Sequence, residues 1–364
     1  MEVLLENTRK YLMETATVGA TSAGNVATLN KVILPVIRRV MPTVIANEII
    51  GVQPMTGPVA QIHTMRVKYA KTSPAGGGGV TAGAEALSPL DIARYYAGNE
   101  VVATPAGAMT ANLEGTMGNP ISIETLRTTV TAMTRKLGAR WTPESAQDAQ
   151  SQQGLDIEAE LMAALAQEIT AEIDQEILFS LRALPGAATM TFDQSAVTGT
   201  PTSIVDVHAA LAVMINAQAN RIAARTRRGA GNWTVMSPTM LTVLQSGSAS
   251  GFARTTEGTF EAPTNTKFAG TLNGSMRVYI DQYASDTTPV LVGYKGNETD
   301  AAAFYCPYIP LTTLGTVIDP NTGEFVTSFM TRYGFVALSN VANSLGNAAD
   351  YLGLIGINGT ITYM

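Results

Sequence analysis

The sequence predicts an α+β protein: an extended ribbon, one very long helix and a separate α/β lobe. Residues 61–70, "QIHTMRVKYA", alternate apolar and polar, as a strand with one wet face does. Residues 155–184 repeat apolar positions every four residues with no internal Gly or Pro. After Gly186, short apolar runs alternate with helical patterns.

Taken in order, residues 3–13 fit a short amphipathic helix, and "TATVGATSAGN" after them reads as an extended arm. Residues 36–59, "VIRRVMPTVIANEIIGVQPMTGPV", set Arg38, Arg39, Pro42, Pro54 and Pro58 in an apolar run whose one acid is Glu48. The prolines limit any helix there to about residues 43–50, with Gly51 as its stop. With no His or Cys, this stiff stretch reads as a connector.

The strand at 61–70 presents His63, Met65, Val67 and Tyr69 on one face and Thr64, Arg66 and Lys68 on the other. A Gly- and Pro-rich stretch, residues 72–89, cannot hold regular structure. A second strand over residues 121–137 follows Pro120, so the two form a long two-stranded ribbon. Nothing nearby in sequence covers the ribbon's apolar face. Its basic face, with Arg127 and Lys136 adding charge, would meet acids of a neighbouring chain.

Thr142 and Pro143 fit an N-cap and first helical position. The long helix buries a stripe of Leu161, Leu165, Ile169, Ile173 and Ile177, and its other faces carry seven acids and one base, Arg182. These acids read as a solvated face or as partners for a neighbour's Arg127, Arg135, Lys136 and Arg140. In the lobe, a helix near 204–225 leads to the strand "NWTVMS" and the short helix "PTMLTVLQ". Residues 246–275 read as a long surface loop. Strands at "MRVYIDQYA", "PVLVGYK" and "AAFYCPYIPLTTL" follow, and "DPNTG" turns a hairpin.

At 364 residues the chain outgrows a single core. It is 46% hydrophobic and 14% charged, against about 25% charged in an ordinary soluble domain. So few charges favour burial of surface between subunits over a monomer coated in Thr, Ser and Asn. The net charge of −6 argues against a neutraliser of nucleic acid. Cys306 is the sole cysteine, which leaves no intrachain disulfide. No secretory signal or membrane-spanning run is visible, so no membrane partner is expected.

Chemistry finds little support. Residues 76–79 are four glycines, but no lysine or helix start follows to make a phosphate cradle, so a flexible loop tip is favoured. His63 and His208 lie far apart, with no second ligand at metal spacing and no nucleophile elbow. Cys306, between aromatics, reads as a small buried hydrophobe. Arg221, Arg225, Arg227 and Arg228 fit a helix C-terminus or an intersubunit salt-bridge cluster better than a phosphate patch. No catalysis, cofactor or metal is expected.

"RRVMPTVIANEIIGVQPMTGP" resembles a motif near the start of the mature major capsid protein of T-even-like tailed phages, here with Pro42, Gly51, Pro54, Met55 and Pro58. "FYCPYIPLTTL", with Cys306, Pro307, Tyr308 and Pro310, is similar to that family's C-terminal motif, as are "DPNTG" and "MTRYGFVAL", with Arg332, Tyr333 and Gly334. "SAQDAQSQQGLDIEAELMAALAQEITAEIDQEI" resembles the family's lead into its long helix. The blocks stand in the family's order and are spread from residue 38 to residue 338.

The resemblance implies the Hong Kong 97-type capsid fold. Residues 1–60 would be the N-terminal arm and connector, and 61–136 the extended loop, a β-ribbon. Residues 137–185 would form the peripheral domain with its spine helix, 186–300 the axial domain, and 301–364 the C-terminal strands returning to the peripheral domain. It also implies a virion shell protein, assembled in the host cytoplasm as hexamers, with pentamers a further option. A cement or decoration protein, a portal, a scaffold and packaged DNA contacted without sequence readout would be its partners. An encapsulin-type shell holding cargo enzymes is the alternative. Arg38 and Arg39 have two candidate jobs, pairing between subunits or facing DNA, with pairing favoured. Met65, Arg66, Val67, Lys68, Tyr69, Arg127, Arg135 and Lys136 complete the expected assembly set. "LLE" and "LME", ending at Glu6 and Glu14, resemble the sites cut by the family's maturation protease. T-even members also carry a long prosegment and an inserted domain, for which this chain leaves little room.

Overall fold

The computed structural model describes residues 45–73, 80–84, 86, 96–98, 107–154, 156–195, 204–247, 252–254, 268–338, 347–359 and 361. Arg38, Arg39, Pro42 and the four glycines at 76–79 lie outside them. In chain order the elements are α1 (Ala46–Ile49), β1 (Gly51–Val52), β2 (Val59–Tyr69), α2 (Thr110–Leu113), β3 (Ile121–Thr131), β4 (Met133–Trp141), α3 (Pro143–Gln153) and α4 (Ile157–Ala183). Then come β5 (Met190–Asp193), α5 (Ile204–Thr226), β6 (Trp233–Met236), α6 (Pro238–Gly247), β7 (Phe252–Arg254), β8 (Phe268–Leu272), β9 (Met276–Ile280) and β10 (Val290–Gly293). The last are β11 (Lys295–Asn297), β12 (Asp300–Ala301), β13 (Ala303–Thr313), β14 (Val317–Ile318), β15 (Phe325–Ala337), α7 (Ala348–Tyr351) and β16 (Leu352–Asn358).

Two sheets form the body. In the five-stranded sheet β13 and β15 run antiparallel, β1 lies parallel along β13, β14 pairs with β15, and β4 takes the other edge of β15. The seven-stranded sheet has the order β5-β16-β10-β6-β9-β8-β7. Strands β2 and β3 form a separate two-stranded antiparallel ribbon.

The long helix α4 starts two residues later than the sequence pattern suggested. Gly154 ends α3 in a left-handed turn, and the Asp156 side chain then caps α4 by accepting from Glu158 N at 3.0 Å. Thr142 and Pro143 cap and open α3 as read. At 1.5 Å per residue α4 is about 40 Å long. It buries Leu165, Ile169, Ile173, Ile177, Leu178 and Leu181, each worth about 2 kcal/mol. That stripe packs in one core with Trp233, Val235 and Leu291 of one sheet and Ala303 and Tyr333 of the other. A second core fills the lobe, where Leu211, Ile215 and Ile222 of α5 meet α6 and the seven-stranded sheet.

Three sequence expectations are corrected. The single strand over 121–137 is two: β3 pairs with β2, and after Ala132 the chain enters β4, which pairs with β15. The loop over 246–275 contains the hairpin β7–β8, because Ala269 and Leu272 are buried and its strand continues the sheet through β9. The C-terminal chain does not stay in one layer. β13 and β15 lie in the five-stranded sheet, but β16, with Leu352 and Ile355 fully buried, crosses to pair with β10 and β5.

Candidate assembly surfaces

Three features hold the residues singled out in the sequence: the ribbon, the hub at its root and the tethers of α4. On the ribbon, Met65 faces Thr125, Val67 faces Ile123 and Tyr69 faces Ile121. Directly opposed residues share a face, so this face carries Met65 at 74% exposure, Ile123 at 68% and Ile121 at 56%. The sequence reading left the whole apolar face uncovered. The structure covers one end: Tyr69 is buried with Val80, Ala86 and Tyr96, its ring edge-on to Tyr96 at 4.6 Å. Backbone bonds from Gly83 and Ala86 to Tyr69 and Val67 bring this loop back along β2.

The other face carries Lys68, ion-paired to Glu124 across the strands, and Arg66, of which only the backbone is described. Arg127 was expected on this basic face. It lies opposite His63 instead, at the far end of the Met65 face.

At the root, two of the motifs that carried the resemblance meet. Gln53 N and Met55 N donate to the carbonyls of Tyr305 and Pro307, both at 2.9 Å, extending β1 along β13. Met55, Val130, Phe304 and Cys306 form a small buried cluster, with Ala60, Ile62 and Tyr308 against it. Gly51 follows the helix as read, but for a different reason. It has no left-handed φ; a Cβ there would stand 2.6 Å from Glu298 O and 2.7 Å from the Phe304 ring. Burial pushes the Cys306 thiol upward, as suits a packed hydrophobe. Pro307 lies at a register shift of β13, Arg332 stacks 5.2 Å over the Tyr308 ring, and Pro54, Pro58 and Pro310 are exposed.

The tethers hold α4 from both sheets. Arg135 on β4 reaches Glu172 and Glu176 of α4, both at 2.5 Å, and its Nε donates to Tyr333 Oη at 2.6 Å. The Tyr333 hydroxyl in turn donates to Glu176. The sequence reading gave Arg135 and the α4 acids to different subunits, but they pair within one chain, because odd-numbered residues of β4 face α4. Lys136 and Arg140 point the other way and are exposed, with Arg140 3.6 Å from Glu324. On the lobe side, Asp281, 1% exposed, accepts from Arg182 and Gln175, both at 2.8 Å. Asp174, also buried, accepts from Ile45 N at 3.1 Å beside α1. Elsewhere Arg228 pairs with Asp300 at 2.7 Å and Arg221 donates to Thr189, so these two arginines of the cluster find partners within the chain rather than on a neighbour. His208 is buried with Ser246 Oγ 2.5 Å from its Nδ1.

Sequence reasoning missed Glu176, Asp174, Asp281 and Val130 as key residues. Glu172 and Glu176 stand one helical turn apart, which was a usable signal. Asp174 and Asp281 gave none, since a buried carboxylate looks like any other in a sequence.

Burial raises the Glu176 carboxyl, but the Tyr333 and Arg135 hydrogen bonds together outweigh it and hold it below the ordinary range. A depressed carboxyl stabilises the fold above its unfolded value, about 4.3, and that contribution is lost as pH falls through the lower folded value. The melting-temperature gap between wild type and Glu176→Gln should therefore be present at pH 7 and shrink in acid. A gap independent of pH would contradict this.

This body of two sheets strapped to one long helix, with a ribbon beside it, has the fold of phage capsid proteins. The capsid of Myoviridae Phage XM1 matches with a TM-score of 0.54 at 11% identity, covering 93% of this chain and 99% of that one. A chain from Microbacterium phage Oxtober96 matches at 0.53 and 12%, covering 93% and 100%. The family model described as Major capsid protein Gp23 matches residues 26–357, and the chain belongs to that family. The major capsid protein of Vibrio phage KVP40 is 30% identical, over 93% of this chain and 82% of that protein. That of Enterobacteria phage T4 is 29% identical, over 91% and 79%. The T4 alignment runs over 421 positions, more than this whole chain, so that relative holds inserted residues that this chain lacks.

Proposed function

We infer that this chain builds the icosahedral head shell of a tailed phage around its double-stranded DNA, by self-assembly into hexamers. The exposed ribbon face of Met65, Ile121 and Ile123 carries this reading. A two-stranded ribbon is marginal in water and needs a further surface, and a second copy of the chain in the shell supplies it. In the Hong Kong 97 arrangement β2–β3 would be the extended loop, α4 the spine of the peripheral domain, and the seven-stranded lobe the axial domain. Exposed Lys136 and Arg140 would meet a neighbour's acids. Matches to phage capsid proteins favour a genome container over a cargo compartment.

The test is Met65→Ser with Ile123→Ser, two exposed positions whose change should leave circular dichroism and melting of the subunit near wild type. Electron microscopy should then show particles lost or deformed. Normal, DNA-filled heads from this variant would remove the ribbon from assembly.

A further inference from the structure

We propose that the contact of Val130 with Gly334, backed by Met55, sets the angle at which the ribbon leaves the body, making these three residues positioning residues for assembly. The proposal rests on the reading that the ribbon docks on a neighbouring subunit. Along β3 only Val130 is buried, at 2% exposure. At the far end Tyr69 packs, among the described residues, against the ribbon's own return loop. The ribbon is thus held to the body at its root.

The backbone there is a narrow joint. Ala132 alone separates β3 from β4, and its N–H donates to Pro58 O at 2.8 Å, so both strands leave the body at the same level. On the β2 side the last bond to the body is Met55 N to Pro307 O; residues 56–58 form a bend beyond it.

Gly334 is where the joint meets the sheet. β15 pairs with β4 as far as Tyr333 opposite Met133, and Gly334 is the next residue. It does not have a left-handed φ, so its glycine is not required by its own backbone. A Cβ there would stand 2.4 Å from Val130 Cγ1, 3.1 Å from Thr131 O and 3.5 Å from Met55 Cε. The space of the missing side chain is filled by the ribbon's root. Any side chain at 334 must push Val130 outward, and the ribbon turns with it. The ribbon is a lever: eleven residues at 3.3 Å give about 36 Å, so a turn of roughly 10° moves the tip by about 6 Å.

The experiment uses full-length subunits with spin labels at Thr125→Cys on the ribbon and Thr313→Cys on the sheet, both exposed; Cys306, 1% exposed, stays unlabelled. Thr125 lies about 20 Å out from the root, so Gly334→Ala should shift the interlabel distance by about 3 Å for a turn of that size, with near-native circular dichroism. Without labels it should give deformed particles or none. Adding Val130→Ala, which removes the clashing methyl, should restore both distance and particles. An unshifted distance in Gly334→Ala, or a double variant that restores neither, overturns the proposal. If Gly334→Ala does not fold, Val130→Ala alone decides: it removes the contact without adding bulk and should broaden the distance distribution. An unchanged distribution overturns the proposal. Normal assembly of Met65→Ser with Ile123→Ser would instead remove ribbon docking, while the distances still decide what fixes the angle.

Discussion

Replacing Arg182 with methionine should destabilise the subunit by about 3–5 kcal/mol, the usual cost of leaving one partner of a buried ion pair unmatched. Asp281 is 1% exposed, and Arg182 supplies its charge partner at 2.8 Å. Gln175 and Tyr283 N also donate to Asp281, but both are neutral and cannot balance its charge. Methionine fills much of the arginine stem's volume, so the loss reports charge more than packing. The pair bridges α4 and the end of β9, and its loss also loosens the helix from the lobe. Adding Asp281→Asn to Arg182→Met removes the stranded charge and should recover most of the loss. Denaturant unfolding of unassembled subunits reads both variants. A single variant within about 1 kcal/mol of wild type would mean that solvent reaches Asp281 and the bridge is not structural.

How much of this was legible before the structure depended on the kind of signal. Periodicity is local, and it showed α4, α5 and the β2 strand to within a few residues, because one buried face stamps a repeat on the sequence. The caps Thr142 and Pro143 were legible for the same reason. Pairing is not local. Residues 121–137 read as one strand because the pattern runs through Ala132, while the change of partner from β2 to β15 leaves no local mark. β16 likewise gave no sign of crossing into the lobe. Gly51 was read as a stop and Gly334 only as part of a motif, yet both serve close approach to residues far away in the chain. At the candidate surfaces, Met65 and Val67 followed from alternation, but the reading that paired Arg135 between subunits failed because charge complementarity cannot say whether two groups share a chain.

The second large effect is expected at Ile169, in the middle of α4. Proline there removes one backbone donor and drives its ring into the preceding turn, costing about 3 kcal/mol or more. It also deletes a side chain that is 2% exposed in the core shared by both sheets. The position makes the effect larger than a local count suggests. Asp174, with its bond to Ile45, the Arg135 contacts at Glu172 and Glu176, and the Asp281 contacts at Gln175 and Arg182, all lie C-terminal to residue 169. The turns before it carry Glu158, which accepts from Thr316 beside the β14 hairpin. A kink at 169 therefore cannot keep both ends of α4 in place, and one set of contacts must break. Ile169→Pro should yield insoluble or unassembled protein, whereas Ile169→Leu, nearly volume-conserving, should cost less than about 1.5 kcal/mol and assemble. Normal particles from Ile169→Pro would show that α4 is not the continuous strut tying the two sheets together.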